Sequence, residues 1–325
     1  LAGRISVCCK QSTQVRIRFV KILAPPFLRI AAGGVIAVFA VSCSRQAPSI
    51  DPAKYSQEIE QWRTQRVAEL TNDSGWLSLI GLFWLKDGTN TFGSDPNSDI
   101  VVPKVPQHAG KFVLSNGLVT FETSAENAFT VDGAPITSLQ LKSDGDGKPT
   151  IVRNGSLSFQ IIKRGAKLAV RVKDKANPDR LKFRGLEYFP ASLKWRIDAR
   201  FEPYNPPKPV PILNVLNMES DEQSPGAIVF DIDGKTYRLD AITEPDEPRL
   251  FMIFADDTRG KETYGAGRYL YVEPPDKNNR VVIDFNKAYS PPCAFTNFAT
   301  CPLPPKQNIL PMRIEAGEKY TDHGH

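Results

Sequence analysis

Residues 227–242 read AIVFDIDGKTYRLDAI, and how that stretch is read decides the fold. Apolar and polar side chains alternate on both sides of Asp233-Gly234, so each arm turns one face inward as a strand does. Asp-Gly also tolerates the left-handed backbone of a two-residue hairpin turn. The same signal recurs in FVLSNGLVTFE (112–122) at Asn116-Gly117 and in FTVDGAPI (129–136) at Asp132-Gly133. It appears once more at Asn154-Gly155, ahead of SLSFQII (156–162). TYGAGRYLYVE (263–273) and RVVIDFN (280–286) read as two further strands joined by the polar loop PPDKNN. So many hairpins predict an all-β, mainly antiparallel architecture of sandwich or barrel type.

One helix stands apart from this pattern. In YSQEIEQWRTQRVAEL (55–70), Tyr55, Ile59, Trp62, Val67 and Leu70 share one face, and the rest of the surface is charged. Residues 55–176 therefore read as this helix plus a sandwich-like part, and 177–319 as a larger C-terminal β part of barrel or sandwich type. A boundary is expected at Asn177-Pro178. The proline-rich EPYNPPKPVPI (202–212) suits an extended edge or crossover strand. Residues 320–325 form a polar tail.

Residues 1–42 carry Arg4, Lys10, Arg16, Arg18, Lys21 and Arg29, no acidic residue, and end in the apolar run IAAGGVIAVFAV at 30–41. That run is short for a spanning helix, which needs roughly 20 residues, and suits a signal segment. It leads into FAVSC, which resembles a bacterial lipobox and predicts lipidation at Cys43, followed by a polar tether at 43–54. A non-lipidated signal peptide or an uncleaved anchor are the plainer alternatives. The formal charge of +5 falls away with this segment: without its six basic residues, 35 basic face 36 acidic ones. No basic stripe with interleaved aromatics is present, so no nucleic-acid partner is expected. The expectation is an exported protein, held at the membrane by lipid and facing the periplasm or cell surface.

In that oxidising setting Cys293 and Cys301, in SPPCAFTNFATCPLPP (290–305), are expected to form a disulfide. A metal clip or a reactive thiol pair are the alternatives. Histidine is scarce: His108 lies in a predicted loop, and His323 and His325 in the tail. A Ser-His-Asp triad or multi-His metal site therefore has little to draw on, and no cofactor is expected. The glycines of GAG (265–267) read as a bulge or close approach. On the last strands, alternation places Tyr264, Arg268 and Leu270 on one face, and Asp284 and Asn286 on another. Arg268 facing Asp284, with Tyr264, Asn286 and Tyr289 nearby, would form a polar pocket for a small polar ligand or glycan. A purely structural ion pair or a solvated sheet face reads the same pattern more plainly. Asp284, Glu315 and Glu318 are the candidate carboxylates if the protein is instead a His-independent hydrolase of glycosidase type.

GWLSLIGLFWLKDGTNTFGSDPNSDIVVP (75–103), RLKFRGLEYFP (180–190), TYGAGRYLY (263–271) and the stretch 284–319, in that order, resemble the family of domain of unknown function 1684. The resemblance brings no assigned chemistry. NTFGSDPNSDIVVP with KFVLSNGLVTFE and VDGAPI also resembles the opening strands of a forkhead-associated sandwich. Ser94 stands where that fold's phosphothreonine-reading Arg would be, so the resemblance implies the shape without phosphopeptide binding.

Overall fold

The structure is a computed structural model that describes residues 50–321. The expected signal segment, Cys43, the start of the tether, and His323 and His325 lie outside the described residues. The N-terminal helix runs Pro52–Thr71, with Asp51 capping it through an N–H···O bond from Ala53 of 2.9 Å and Pro52 in the first turn. It buries Tyr55, Ile59, Arg66 and Leu70 along one stripe. No helix among the described residues is long and apolar enough to cross a membrane.

Beyond this helix the chain is mainly β structure, as the hairpin signals predict. One sheet has the order Leu79–Trp84, Lys167–Asp174, Leu157–Arg164, Val152–Asn154, Thr130–Val131, Ala134–Pro135. A second has Ile100–Val101, Gly88–Gly93, Gly110–Ser115, Leu118–Glu122, Ser138–Leu141. Between them lies a core of Phe92, Phe112, Phe121, Phe129 and Phe159, all buried, with Phe112 and Phe121 centroids 4.8 Å apart. Truncating one such ring typically costs about 3–5 kcal/mol.

The C-terminal part has a four-stranded sheet, Lys235–Asp240, Glu219–Ile232, Arg196–Leu213, Arg280–Asp284, and a three-stranded sheet, Ile242–Glu244, Glu247–Phe254, Arg268–Val272. It curls as a half-barrel around Phe230, Met252, Phe254, Ile283 and Phe285. Ile232 pairs with Lys235 across Asp233 (φ 51°) and Gly234 (φ 76°), the two-residue turn that the opening stretch calls for. The proline-rich stretch lies in Arg196–Leu213, whose pairing with Arg280–Asp284 ends at Arg200. The prolines beyond it have a ladder to Glu219–Ile232 alone, which suits residues lacking an N–H.

Three expectations change. Arg268–Val272 and Arg280–Asp284 are successive in sequence but lie in different sheets. The strand also starts at Arg268, so Tyr264 and Ala266 precede it: Gly267 has φ +93°, and a Cβ there would lie 2.6 Å from the Phe254 carbonyl oxygen. The helix, read with the N-terminal part, bonds to the C-terminal one. Tyr55 reaches Asp284 at 2.9 Å, Arg63 the Phe189 carbonyl at 2.8 Å and Arg66 the Ser290 carbonyl at 2.9 Å. At Asn177-Pro178 a one-turn helix, Pro178–Leu181, begins, and the described residues stay one compact unit across it.

Candidate ligand-binding site

The expected Arg268–Asp284 contact is not formed. Arg268 sits opposite Phe254, and Asp284 opposite Arg196 on the other sheet, so their side chains find separate partners. Arg268, 1 % exposed, pairs with Asp256 at 2.9 Å and donates to the carbonyls of Ile314 (3.0 Å) and Ala316. Asp256 also accepts from the Ile314 N–H at 2.8 Å and from Thr258. This is an interior clasp that ties the chain end to the half-barrel. Asp284 accepts from the Tyr55 hydroxyl and, at 3.1 Å, from the Asn286 N–H; Asn286 donates to Tyr55 and to the Ser192 carbonyl at 2.9 Å. Burial, then the Asp284 charge, raises the Tyr55 hydroxyl pKa. These groups anchor the helix.

The remaining candidates are also dispersed. Tyr264 donates to the Cys293 carbonyl at 2.9 Å and packs edge-on against Tyr320. Glu315 is exposed and paired with Arg313 at 3.0 Å. Glu318 is fully buried, accepts from the Ser290 N–H at 3.1 Å and lies 3.4 Å from Arg66; burial raises its carboxyl pKa. His108 is 3.9 Å from Asp95 on the surface. Among the described residues, no group of three or more His, Cys, Asp or Glu could hold a metal ion.

Tyr289 alone of the five expected ligand-binding residues borders a cavity that lies between the helix, the half-barrel and the N-terminal sheet. Its volume is about 500 Å³. The helix contributes Trp62, Gln65, Arg66 and Glu69, and the turn after it Trp76. Glu244, Arg249, Phe251, Tyr269 and Tyr271 come from the half-barrel, and Pro292, Thr300, Cys301 and Pro302 from the cysteine-bearing segment 290–305. The N-terminal sheet adds Arg164 and Arg171. In Lys167–Asp174 the side chains of Leu168, Val170 and Val172 fill the sandwich core, so Ala169, Arg171 and Lys173 take the opposite face.

Arginines and aromatic rings alternate around this space. The Arg66 guanidinium lies 4.5 Å from the Tyr289 centroid, Arg249 4.5 Å from Tyr271, and Arg171 5.4 Å from Trp76. Three of the four cavity arginines have a carboxylate: Arg66 has Glu318, Arg164 has Asp144 at 2.9 Å, and Arg249 has Glu247 at 2.7 Å. Arg171 forms no ion pair among the described residues. It is 5 % exposed, its Nε is buried without a partner, and its Nη2 lies 3.5 Å from Thr300 Oγ1. Burial, then the neighbouring Arg164 charge, lowers its pKa to about 10. Glu244, which accepts from the Tyr271 hydroxyl, has its pKa raised by burial.

Cys293 and Cys301 are free thiols in the structure, so the expected bridge is not formed in it. They are nonetheless neighbours, with the Cys293 N–H donating to Cys301 Sγ at 3.1 Å. Burial raises the Cys301 thiol pKa, and the hydrogen bond from Cys301 lowers that of Cys293.

Fold and site thus define a mainly antiparallel β protein with an aromatic, arginine-rich cavity between its two parts. The chain belongs to the family described as protein of unknown function (DUF1684), whose model matches residues 181–319. The block at 75–103 lies ahead of that match. An uncharacterized protein of Haloarcula marismortui, solved by NMR, is 33% identical over 45% of this chain and 81% of its own, with a TM-score of 0.38. A structure described as a phosphothreonine-dependent FHA domain is 18% identical over 28% of this chain and 92% of its own, with a TM-score of 0.21. An FhaA FHA domain is likewise 18% identical, over 28% of this chain and 97% of its own, with a TM-score of 0.21. No curated protein matches the chain.

Proposed function

We propose that this is an exported cell-envelope lipoprotein that binds a small polar ligand or envelope glycan in the cavity beside Tyr289. The observation that carries the reading is the cavity itself, about 500 Å³ with aromatic and cationic walls. Spaces of roughly 300–1,000 Å³ accommodate small molecules, and aromatic faces beside convergent polar groups suit sugar rings. Export and lipid attachment at Cys43 rest on the acid-free segment 1–42 and the AVSC ending. The reading includes a disulfide between Cys293 and Cys301 in that oxidising compartment; its support is that the two residues are neighbours, the Cys293 backbone N–H lying 3.1 Å from Cys301 Sγ.

The test is a thermal-shift and tryptophan-fluorescence screen over glycans, peptidoglycan fragments and small carboxylates, since binding stabilises the native state by mass action. A hit should lose its effect in Trp62→Ala, and Cys43→Ala should release the protein from membranes. A screen without hits, or hits indifferent to Trp62, would refute the binding reading. A hydrolase on this site would use Glu244 and Glu69, which line the cavity, whereas Asp284, Glu315 and Glu318 do not. Turnover of a fluorogenic glycoside, abolished in Glu244→Gln, would replace binding by hydrolysis.

A further inference from the structure

We infer that the cavity receives a ring compound bearing one carboxylate, and that Arg171 is the seat of that carboxylate. The inference rests on the binding function proposed above and names its ligand class. Its basis is a charge left over. Each other guanidinium in the wall has its own carboxylate within 3.4 Å, and Arg171 has none among the described residues. A guanidinium 5 % exposed with no such counter-ion is costly to keep, and an anion entering the cavity would offset that cost.

The surroundings of Arg171 point the same way. Thr300 Oγ1 accepts from Arg164 Nε at 2.9 Å and lies 3.5 Å from Arg171 Nη2, so two like-charged guanidiniums converge on one hydroxyl. With its lone pairs turned to these donors, the Thr300 hydroxyl keeps its proton for an acceptor on the ligand. Asp144 bonds Arg164 at 2.9 Å, and its charge reaches Arg171 only through space, without an ion pair. A carboxylate matches the single charge that remains, and a guanidinium presents planar donors to it. Glu69 and Glu244 on the cavity wall disfavour a polyanion. The rest of the ligand meets rings: Trp76 lies beside Arg171, and Tyr271 and Tyr289 stack 6.4 Å apart. A sugar acid or an aromatic acid has this combination of one carboxylate and a stacking face.

Calorimetric titration of the full chain at fixed ionic strength, with D-glucuronate, benzoate, D-glucose and inorganic phosphate as probes, tests the assignment. Wild type should bind glucuronate or benzoate at least about tenfold more tightly than glucose, the margin that one charge-assisted contact supplies. Arg171→Gln should remove that preference. Thr300→Val, which keeps the shape and drops the hydroxyl, should weaken the acid and not glucose, and serves if Arg171→Gln fails to fold. Glucose and the acids binding equally, or an acid held as tightly by Arg171→Gln as by wild type, would overturn the inference and leave the binding function standing. Phosphate displacing the acids at equal concentration would overturn the carboxylate assignment. Absence of binding by every probe would overturn the inference, while the glycan screen would still decide the broader function.

Discussion

Replacing Arg268 by Met is the sharpest probe of how the half-barrel is held together. The side chain is 1 % exposed, pairs with Asp256 at 2.9 Å and donates to the carbonyls of Ile314 and Ala316. Met fills similar space but leaves Asp256, itself 2 % exposed, without its cation and both carbonyls without this donor. Breaking one side of a buried, hydrogen-bonded pair typically costs about 3–5 kcal/mol, against roughly 0–1 kcal/mol for an exposed pair. Asp256→Leu should cost a similar amount, because it strands the guanidinium. The double variant should fall short of the sum by about 2 kcal/mol or more, since neither charge is then left alone. Combining Arg268→Met with Asp284→Asn gives the control. Their partners are separate, so those effects should add within about 0.5 kcal/mol. Urea unfolding, with midpoints compared at constant slope, reads all of these. Single losses below about 1 kcal/mol, or coupling to Asp284 in place of Asp256, would refute the reasoning.

Two further outcomes concern the cysteine pair and Lys173. Thiol labelling of denatured, unreduced protein from the envelope should find Cys293 and Cys301 blocked, and reduction should cost on the order of 2–3 kcal/mol for a loop of about nine residues; two reactive thiols would refute the bridge. Lys173, lowered by burial and then by Arg171 to about 8 from the ordinary 10.5, holds its proton in the unfolded chain between those values and loses it in the folded one. Its contribution therefore makes stability rise with pH above about 8, and the difference between wild type and Lys173→Met should show that rise before tyrosine ionisation near pH 10 intervenes. No pH-dependent difference between the two would place Lys173 in solvent.

The hairpins were legible because their cause is local. Asp233-Gly234 and Asn116-Gly117 carry the backbone angles of the turn in their own two residues, and alternation on each arm records which face is buried. The partner of Arg268 was not, because alternation does not say which strands share a sheet, and Arg268–Val272 and Arg280–Asp284 do not. It also carries no information about Asp256, which lies twelve residues earlier just past the neighbouring strand. The helix face was legible and its docking side was not. For the site the gap is sharper: in KLAVRVKD the apolar positions mark the sandwich core, and Arg171 and Lys173 then read as a solvated face. Only the fold shows that this outer face meets the helix and the half-barrel across a cavity.

That geometry also bears on how far the family match can reach. Residues 181–319 supply the cavity's half-barrel wall, with Glu244, Arg249, Tyr271, Tyr289 and Thr300. Trp62, Arg66, Trp76, Arg164 and Arg171 all precede residue 181. Within the matched stretch the aromatic faces and Thr300 remain, but the unpaired guanidinium does not. On the proposed binding reading, the preference for an acid belongs to how the N-terminal sheet is joined to the half-barrel, and a chain that kept the matched stretch while replacing Arg171 should keep ring binding and lose that preference.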